Sequence, residues 1–173
     1  MATKAKAKSK IKVKENAGMT ALPFWEQKSL TDMSRTEWES LCDGCGKCCL
    51  HKLEDEDTGE IFYTRVVCQY FDEDACRCTV YRNRSKKVPD CVVLTPDNLD
   101  DLHWMPGTCA YRLLHEGRPL PIWHPLLSGN RDAIIATDNT ITGKVISEEF
   151  VHEDGLEEHI VDWDGLTESW TAN

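Results

Sequence analysis

Eight consecutive residues, Cys42-Asp43-Gly44-Cys45-Gly46-Lys47-Cys48-Cys49, hold four cysteines. Cys42, Cys45 and Cys48 recur at every third position, a C-x2-C-x2-C spacing. A loop of this kind can bring three thiolates to one iron–sulfur cluster, the fourth ligand coming from elsewhere. A single C-x2-C pair can also supply two of the four ligands of a tetrahedral zinc. Cys49 follows Cys48 directly, and neighbouring side chains tend to diverge. Cys49 is therefore expected to leave the first site and to serve a second metal, bridge a polynuclear centre or pack as a buried thiol. Gly44 and Gly46 alternate with the thiols. Glycine permits positive φ and lets backbone N–H groups turn towards sulfur, where the charge of several thiolates must be offset.

Five further cysteines follow: Cys68, Cys76, Cys78, Cys91 and Cys109. Cys68, Cys78 and Cys91 join Cys42, Cys45, Cys48 and Cys49 as candidate metal ligands. Cys76 and Cys109 are secondary candidates, with the small buried hydrophobe as the alternative reading; Cys109 starts an expected helix and is alternatively a thiol of lowered pKa. Nine cysteines suffice for two four-thiolate sites with one left over. His51, two residues past the cluster, is a candidate ligand or outer donor against the alternative of a solvated loop histidine. His124, between prolines and apolar residues, reads as a packed histidine before a functional one. The run Glu54-Asp55-Glu56-Asp57 lacks the ligand spacing of a calcium loop and reads as a solvated face. No P-loop, dinucleotide fingerprint or nucleophile elbow is present.

The elements that must position these thiols are short. Ser34 and Glu37 fit a capping box, opening a helix with Trp38, Leu41 and Cys42 on one face. That helix delivers the chain into the cysteine loop. Residues 50–60 are acidic and read as a loop. Ile61–Cys68 is β-branched and aromatic, a strand, and Cys78–Tyr81 is expected to be a short partner strand. Thr95-Pro96 opens a short helix to about His103, and Thr108 is expected to cap a second one ended by Gly117. Three prolines in residues 118–127 require extended or turning chain. A last strand is expected over 144–147, followed by apolar anchors at Val161, Trp163 and Trp170. The expected fold is a small, irregular, metal-stabilised α+β domain over residues 21–173, with short helices and short strands. A disordered Lys-rich tail over residues 1–20 precedes it.

The chain has 173 residues, of which 40 % are apolar, so the core is modest and benefits from a metal. The opening MATKAKAKSKIKVKENAG has no apolar run of signal-peptide length, and no stretch approaches a transmembrane helix. The expected compartment is therefore the cytoplasm, where thiols stay reduced. An odd cysteine count also argues against a closed disulfide framework. Residues 1–14 carry six lysines and no acid against a net charge of -10, which leaves -16 for the rest. A body that acidic excludes a general nucleic-acid surface. A protein partner is left open, and the tail reads as solvated before it reads as a contact for RNA or anionic lipid.

CDGCGKCC is similar to the C-x2-C-x2-C-C signature of the zinc- or iron-chelating cysteine-cluster proteins, the YkgJ-like superfamily. Cys68-Gln69-Tyr70-Phe71, Cys78-Thr79-Val80-Tyr81 and Arg84 followed by Cys91 resemble later blocks of that family. WESLCDGCGKCCLHKLEDED, PDC, TCAYRLL and PIWHPLLSG look closest to its YcgN-like bacterial branch, over roughly residues 23–130. Ser85 stands where proline usually follows the arginine, the gap from Cys78 to Cys91 is longer, and Cys76 is extra. The resemblance implies a bacterial, cytoplasmic, metal-chelating protein without a defined reaction. A flagellin lysine methylase family with the same signature keeps an iron–sulfur-dependent, protein-modifying enzyme open by analogy, with a pocket expected near His124. Between the cofactors, an iron–sulfur cluster is slightly favoured over zinc, because the thiols outnumber the needs of one zinc.

Overall fold

The computed structural model describes residues 22–163. The Lys-rich stretch 1–20 and Trp170 lie outside them. Short helices and small sheets alternate, the α+β organisation expected. Helix α1 (Phe24–Gln27) places the Phe24 and Trp25 rings edge to face at 5.1 Å against a buried cluster. Ser34 then caps α2 (Arg35–Ser40). Its hydroxyl accepts the Glu37 N–H at 3.3 Å, while the Glu37 carboxylate accepts the Ser34 N–H at 2.8 Å. A bond from the Lys28 ammonium, together with those from Ser34, holds the Glu37 carboxyl at about 2. The expected capping box is therefore formed and ionised across the working pH range.

Strand β1 (Leu50–Glu54) pairs antiparallel with β2 (Ile61–Val67), and a register shift lies between Leu50 and Lys52. This corrects the reading of residues 50–60 as a loop. Only the tip is a turn: Asp55 Oδ1 accepts from the Asp57 and Thr58 N–H groups, and Gly59 takes a φ of +70°. The acidic run hid the strand, since β1 is specified by its partner β2 rather than by its own residues. A two-residue ribbon of β3 (Phe71–Asp72) and β4 (Arg77–Cys78) comes next. Thr79–Tyr81, expected to extend that strand, leaves it instead. Helix α3 (Arg84–Lys87) and a 3-10 turn at Pro96–Asp101 precede α4 (Ala110–His115). Cys109, not Thr108, occupies the N-cap position of α4, so the expected Thr108 cap is not made. Helices α5 (Pro125–Ser128) and α6 (Asp132–Ala136) follow. Strand β5 (Ile146–Ser147), the core of the strand expected at 144–147, then pairs parallel with β2.

Two apolar clusters result. One gathers Leu41, Leu99, Leu102, Met105, Tyr111 and Leu120, with Trp38 packed against it. The other gathers Leu50, Tyr63, Val67, Ile141 and Trp163, with Val161 packed against it. Leu41 has no exposed surface and Leu50 has 4 %. The cysteine loop is thus strung between two cores, with a buried leucine fastening each end. Burying a leucine contributes on the order of 1.5–3 kcal/mol, so each core resists movement of the loop's attachment point.

Candidate metal centre

The loop begins where α2 ends. Gly44 and Gly46 both have φ of +80°, the left-handed conformation that side chains resist. A Cβ on Gly46 would lie 2.8 Å from Ile141 and from Phe71. One on Gly44 would meet only the Arg131 guanidinium. Most of the loop's carbonyls accept hydrogen bonds from the surrounding chain. The Leu41 carbonyl accepts His124 Nε2 at 3.0 Å, and the Cys76 thiol donates to Gly44 O at 3.0 Å. Cys45 O accepts the Ile141 N–H at 3.1 Å, and Cys49 O accepts the Cys68 N–H at 3.1 Å. Lys52 Nζ donates to Leu50 O, Lys47 O and Cys48 O at 2.7, 3.3 and 3.4 Å. Backbone N–H groups are left for sulfur: that of Gly44 faces Cys42, and that of Tyr70 faces Cys68.

The thiols surround a cavity of about 1010 Å³ at the seam between the two cores. Cys42, Cys48, Cys49, Cys68, Cys78 and Cys91 all line it. Trp38, Tyr81, Trp104 and Tyr111 form much of the remaining wall. Six of the seven candidate ligands are thus brought together from segments up to 49 residues apart, Cys42 to Cys91. Cys45 is set behind them, away from the cavity. Its thiol is raised well above 9.0, first by burial and then by Asp43 and the neighbouring sulfurs of Cys48, Cys42 and Cys109. Cys42 exposes its sulfur into the cavity interior rather than on a convex surface, and burial there pushes it up to about 12. Cys48 and Cys49 do not diverge as neighbours were expected to. Both line the cavity, and contact between their thiols, the largest cause, brings Cys48 down to about 7 and drives Cys49 up.

The two secondary cysteines lie elsewhere. Cys109 is buried, with its thiol pushed up to about 12 by burial, so it is not a thiol of lowered pKa. Cys76, at a φ of 46°, spends its S–H on the Gly44 carbonyl. His51 lines the cavity and pairs with Glu148 at 2.5 Å, so it is not a solvated loop residue. Burial opposes ionisation of Glu148, but bonds from Gln69 and His51 outweigh it and lower its carboxyl. His124 is fully buried: Nδ1 accepts the Leu126 N–H at 3.2 Å, so Nε2 carries the proton given to Leu41 O. It does not line the cavity described above.

Three residues that local signals do not reveal shape the charge. Asp43 is 5 % exposed; its Oδ1 accepts the Cys45 N–H at 3.0 Å and its Oδ2 is buried without a partner. Lys52 has no carboxylate partner among the described residues and lies 5.2 and 5.0 Å from the Tyr63 and Trp104 ring centroids. Burial lowers its ammonium to about 8. Arg84, also without a carboxylate partner there, stacks 4.0 Å from the Tyr81 ring beside Cys91. Two cations facing a ring of thiols suit an anionic, thiolate-rich occupant. Soft sulfur donors of this number fit zinc or iron chemistry. As placed, no three cysteine, histidine or carboxylate side chains among the described residues already close on one metal ion, so ligation requires the side chains to converge.

No helix among the described residues is long and apolar enough to cross a membrane. A family profile described as "CxxCxxCC: Putative zinc- or iron-chelating domain" matches residues 41–110, the span that carries all nine cysteines. A UPF0260 protein of Marinobacter nauticus is 59 % identical over 142 residues, covering 82 % of this chain and 96 % of the relative. Another, of Cellvibrio japonicus, is 56 % identical over 140 residues, covering 81 % and 95 %. A third, of Parvibaculum lavamentivorans, is 55 % identical over 141 residues, covering 82 % and 92 %. No solved structure matches. Relatives this similar, aligned over nearly their whole length, place the chain in the UPF0260 family, its cysteine-rich span matching the CxxCxxCC profile.

Proposed function

We propose that this chain is a cytoplasmic metal-binding protein whose centre stabilises the fold and serves redox or sensing. Cys42, Cys45, Cys48, Cys49, Cys68, Cys78 and Cys91 are its ligand set. The observation that carries this reading is the convergence of six thiols from separate segments on one cavity, beside two cations that lack carboxylate partners among the described residues. Metal ligation would draw these segments together and supply folding energy that the two small cores do not. An iron–sulfur cluster is favoured over zinc, because the thiols exceed one zinc's four ligands and the chamber is larger than a single ion requires. Protein purified without oxygen is expected to be brown, with iron and acid-labile sulfide in equal amounts. Colourless protein holding zinc would reassign the metal. Absence of both, with every thiol of the folded chain open to alkylation, would end the reading.

The size and lining of the cavity support a second reading, that of an iron–sulfur-dependent enzyme. At about 1010 Å³ it matches the upper end of small-molecule sites, and its walls are mainly apolar. An organic substrate would then bind on the Trp38 and Trp104 side of the metal. Metal-loaded protein is expected to take up the apolar dye 1-anilinonaphthalene-8-sulfonate with enhanced fluorescence while still melting cooperatively, and Trp38→Ala is expected to weaken that uptake. A metal-loaded chain that excludes the dye has no open chamber, and this second reading fails.

A further inference from the structure

We propose that Glu148 is a positioning residue that holds Cys49 and Cys68 in register for a shared metal. The proposal rests on the thiolate reading above and extends it to a residue outside the cysteine-rich span. Glu148 begins the turn after β5. Its Oε2 lies 2.5 Å from His51 Nε2, and its Oε1 accepts the Gln69 N–H at 3.0 Å. His51 stands two residues after Cys49 on β1, and Gln69 directly follows Cys68 at the end of β2. One carboxylate therefore spans the two segments that bear these thiols. The backbone also joins them, through the β1–β2 ladder from Leu50 and Val67 onward and through the Cys68 N–H and Cys49 O at 3.1 Å. The ladder fixes the two strands but ends at Leu50 and Val67, and the carboxylate ties the His51 ring on β1 to the peptide N–H that follows Cys68, beyond the ladder's end. Cys49, Cys68, His51 and Glu148 all line the same cavity.

This geometry has a functional reason. Metal–sulfur bonds of about 2.3 Å tolerate little error, so ligands must be held by their surroundings. Outer residues that orient ligands typically change metal affinity about 10- to 100-fold when removed. Glu148 differs from a residue that only supports the fold, because its two bonds go to neighbours of two ligands and not to the cores. Its loss should therefore act on one part of the thiol set.

The test uses the full chain. Zinc affinity, measured by competition with a chromophoric chelator, is expected to fall about 10- to 100-fold in Glu148→Ala. Alkylation mapped by mass spectrometry is expected to show Cys49 and Cys68 losing zinc protection while Cys42 and Cys48 keep theirs. Glu148→Gln keeps an acceptor for the Gln69 N–H and should fall between the two, which also covers the case of an alanine variant that folds poorly. Unchanged affinity in both variants, or protection lost evenly over every cysteine, would overturn the proposal. If zinc protects no cysteine in the native chain, the thiolate reading fails instead, and this proposal with it.

Discussion

Gly46→Ala is expected to destabilise the metal-free chain by about 2–5 kcal/mol, whereas Gly44→Ala should cost only about 1–2 kcal/mol. Both residues have φ of +80°, so each substitution carries the left-handed penalty of about 1–2 kcal/mol. They differ in what the new methyl group meets. At Gly46 it would lie 2.8 Å from Ile141 Cγ1 and Phe71 Cζ, atoms that belong to or pack on the second core. Those side chains cannot withdraw without opening the core, and overpacking of that kind costs about 1–3 kcal/mol more. At Gly44 the nearest atom is the far end of Arg131, an exposed side chain that can swing away. Urea unfolding of the two variants with unchanged slopes would measure the difference. Equal midpoints would mean that Ile141 does not press on the loop as described.

A second large effect is expected from pH. The metal-free chain should lose stability steadily above pH 9. Burial raises the Cys109 thiol from 9.0 to about 12, and burial raises Cys45 in the same direction. A thiol whose pKa is raised by folding stabilises the fold fully below its unfolded value. That stability is lost as pH rises, because the unfolded chain releases its proton first. The window therefore opens at pH 9 and closes near 12 for Cys109. By pH 11, two units above the unfolded value, Cys109 alone accounts for about 3 kcal/mol, a large part of the 5–15 kcal/mol typical of a small domain. Urea melts of reduced, metal-free protein between pH 7 and 11 test this, and Cys109→Ala should flatten part of the decline. Loading metal should flatten it further, since a ligating Cys45 has already given up its proton. A metal-free chain equally stable at pH 7 and 11 would contradict the burial of these thiols.

Local signals made the approach to the site legible. Ser34 and Glu37 stand three residues apart and close the capping box on themselves, with no need of the rest of the chain. Gly44 and Gly46 announce positive φ for the same reason. Ile61–Val67 carries its own β preference, and six of the seven candidate thiols face one cavity. What escaped reading depends on partners distant in sequence. β1 mixes two leucines with His51, Lys52 and Glu54 and runs into the acidic turn that follows, and it becomes a strand because β2 lies beside it. Cys45, evenly spaced with Cys42 and Cys48, turns away from the cavity because the Asp43 carboxylate and the Ile141 N–H hold its peptide from the other side. Asp43 and Lys52 look like ordinary surface charges until the fold encloses them. His124 was legible as a packed histidine, and only its partner, the Leu41 carbonyl 83 positions away, was not.

The parallel pairing of β5 with β2 also sets an order of events during synthesis. Every cysteine lies at or before residue 109, yet the loop's outer supports, Ile141 and Glu148, come later in the chain. Translation proceeds at about 5–20 residues per second, so the 57 residues between Cys91 and Glu148 take about 3–11 s to make. For that interval the ligand-bearing segments have left the ribosome's point of synthesis without their clamp. Were Cys49 and Cys68 metal ligands held by Glu148, this interval would be when an incoming metal donor or an oxidant reached their thiols before that clamp existed.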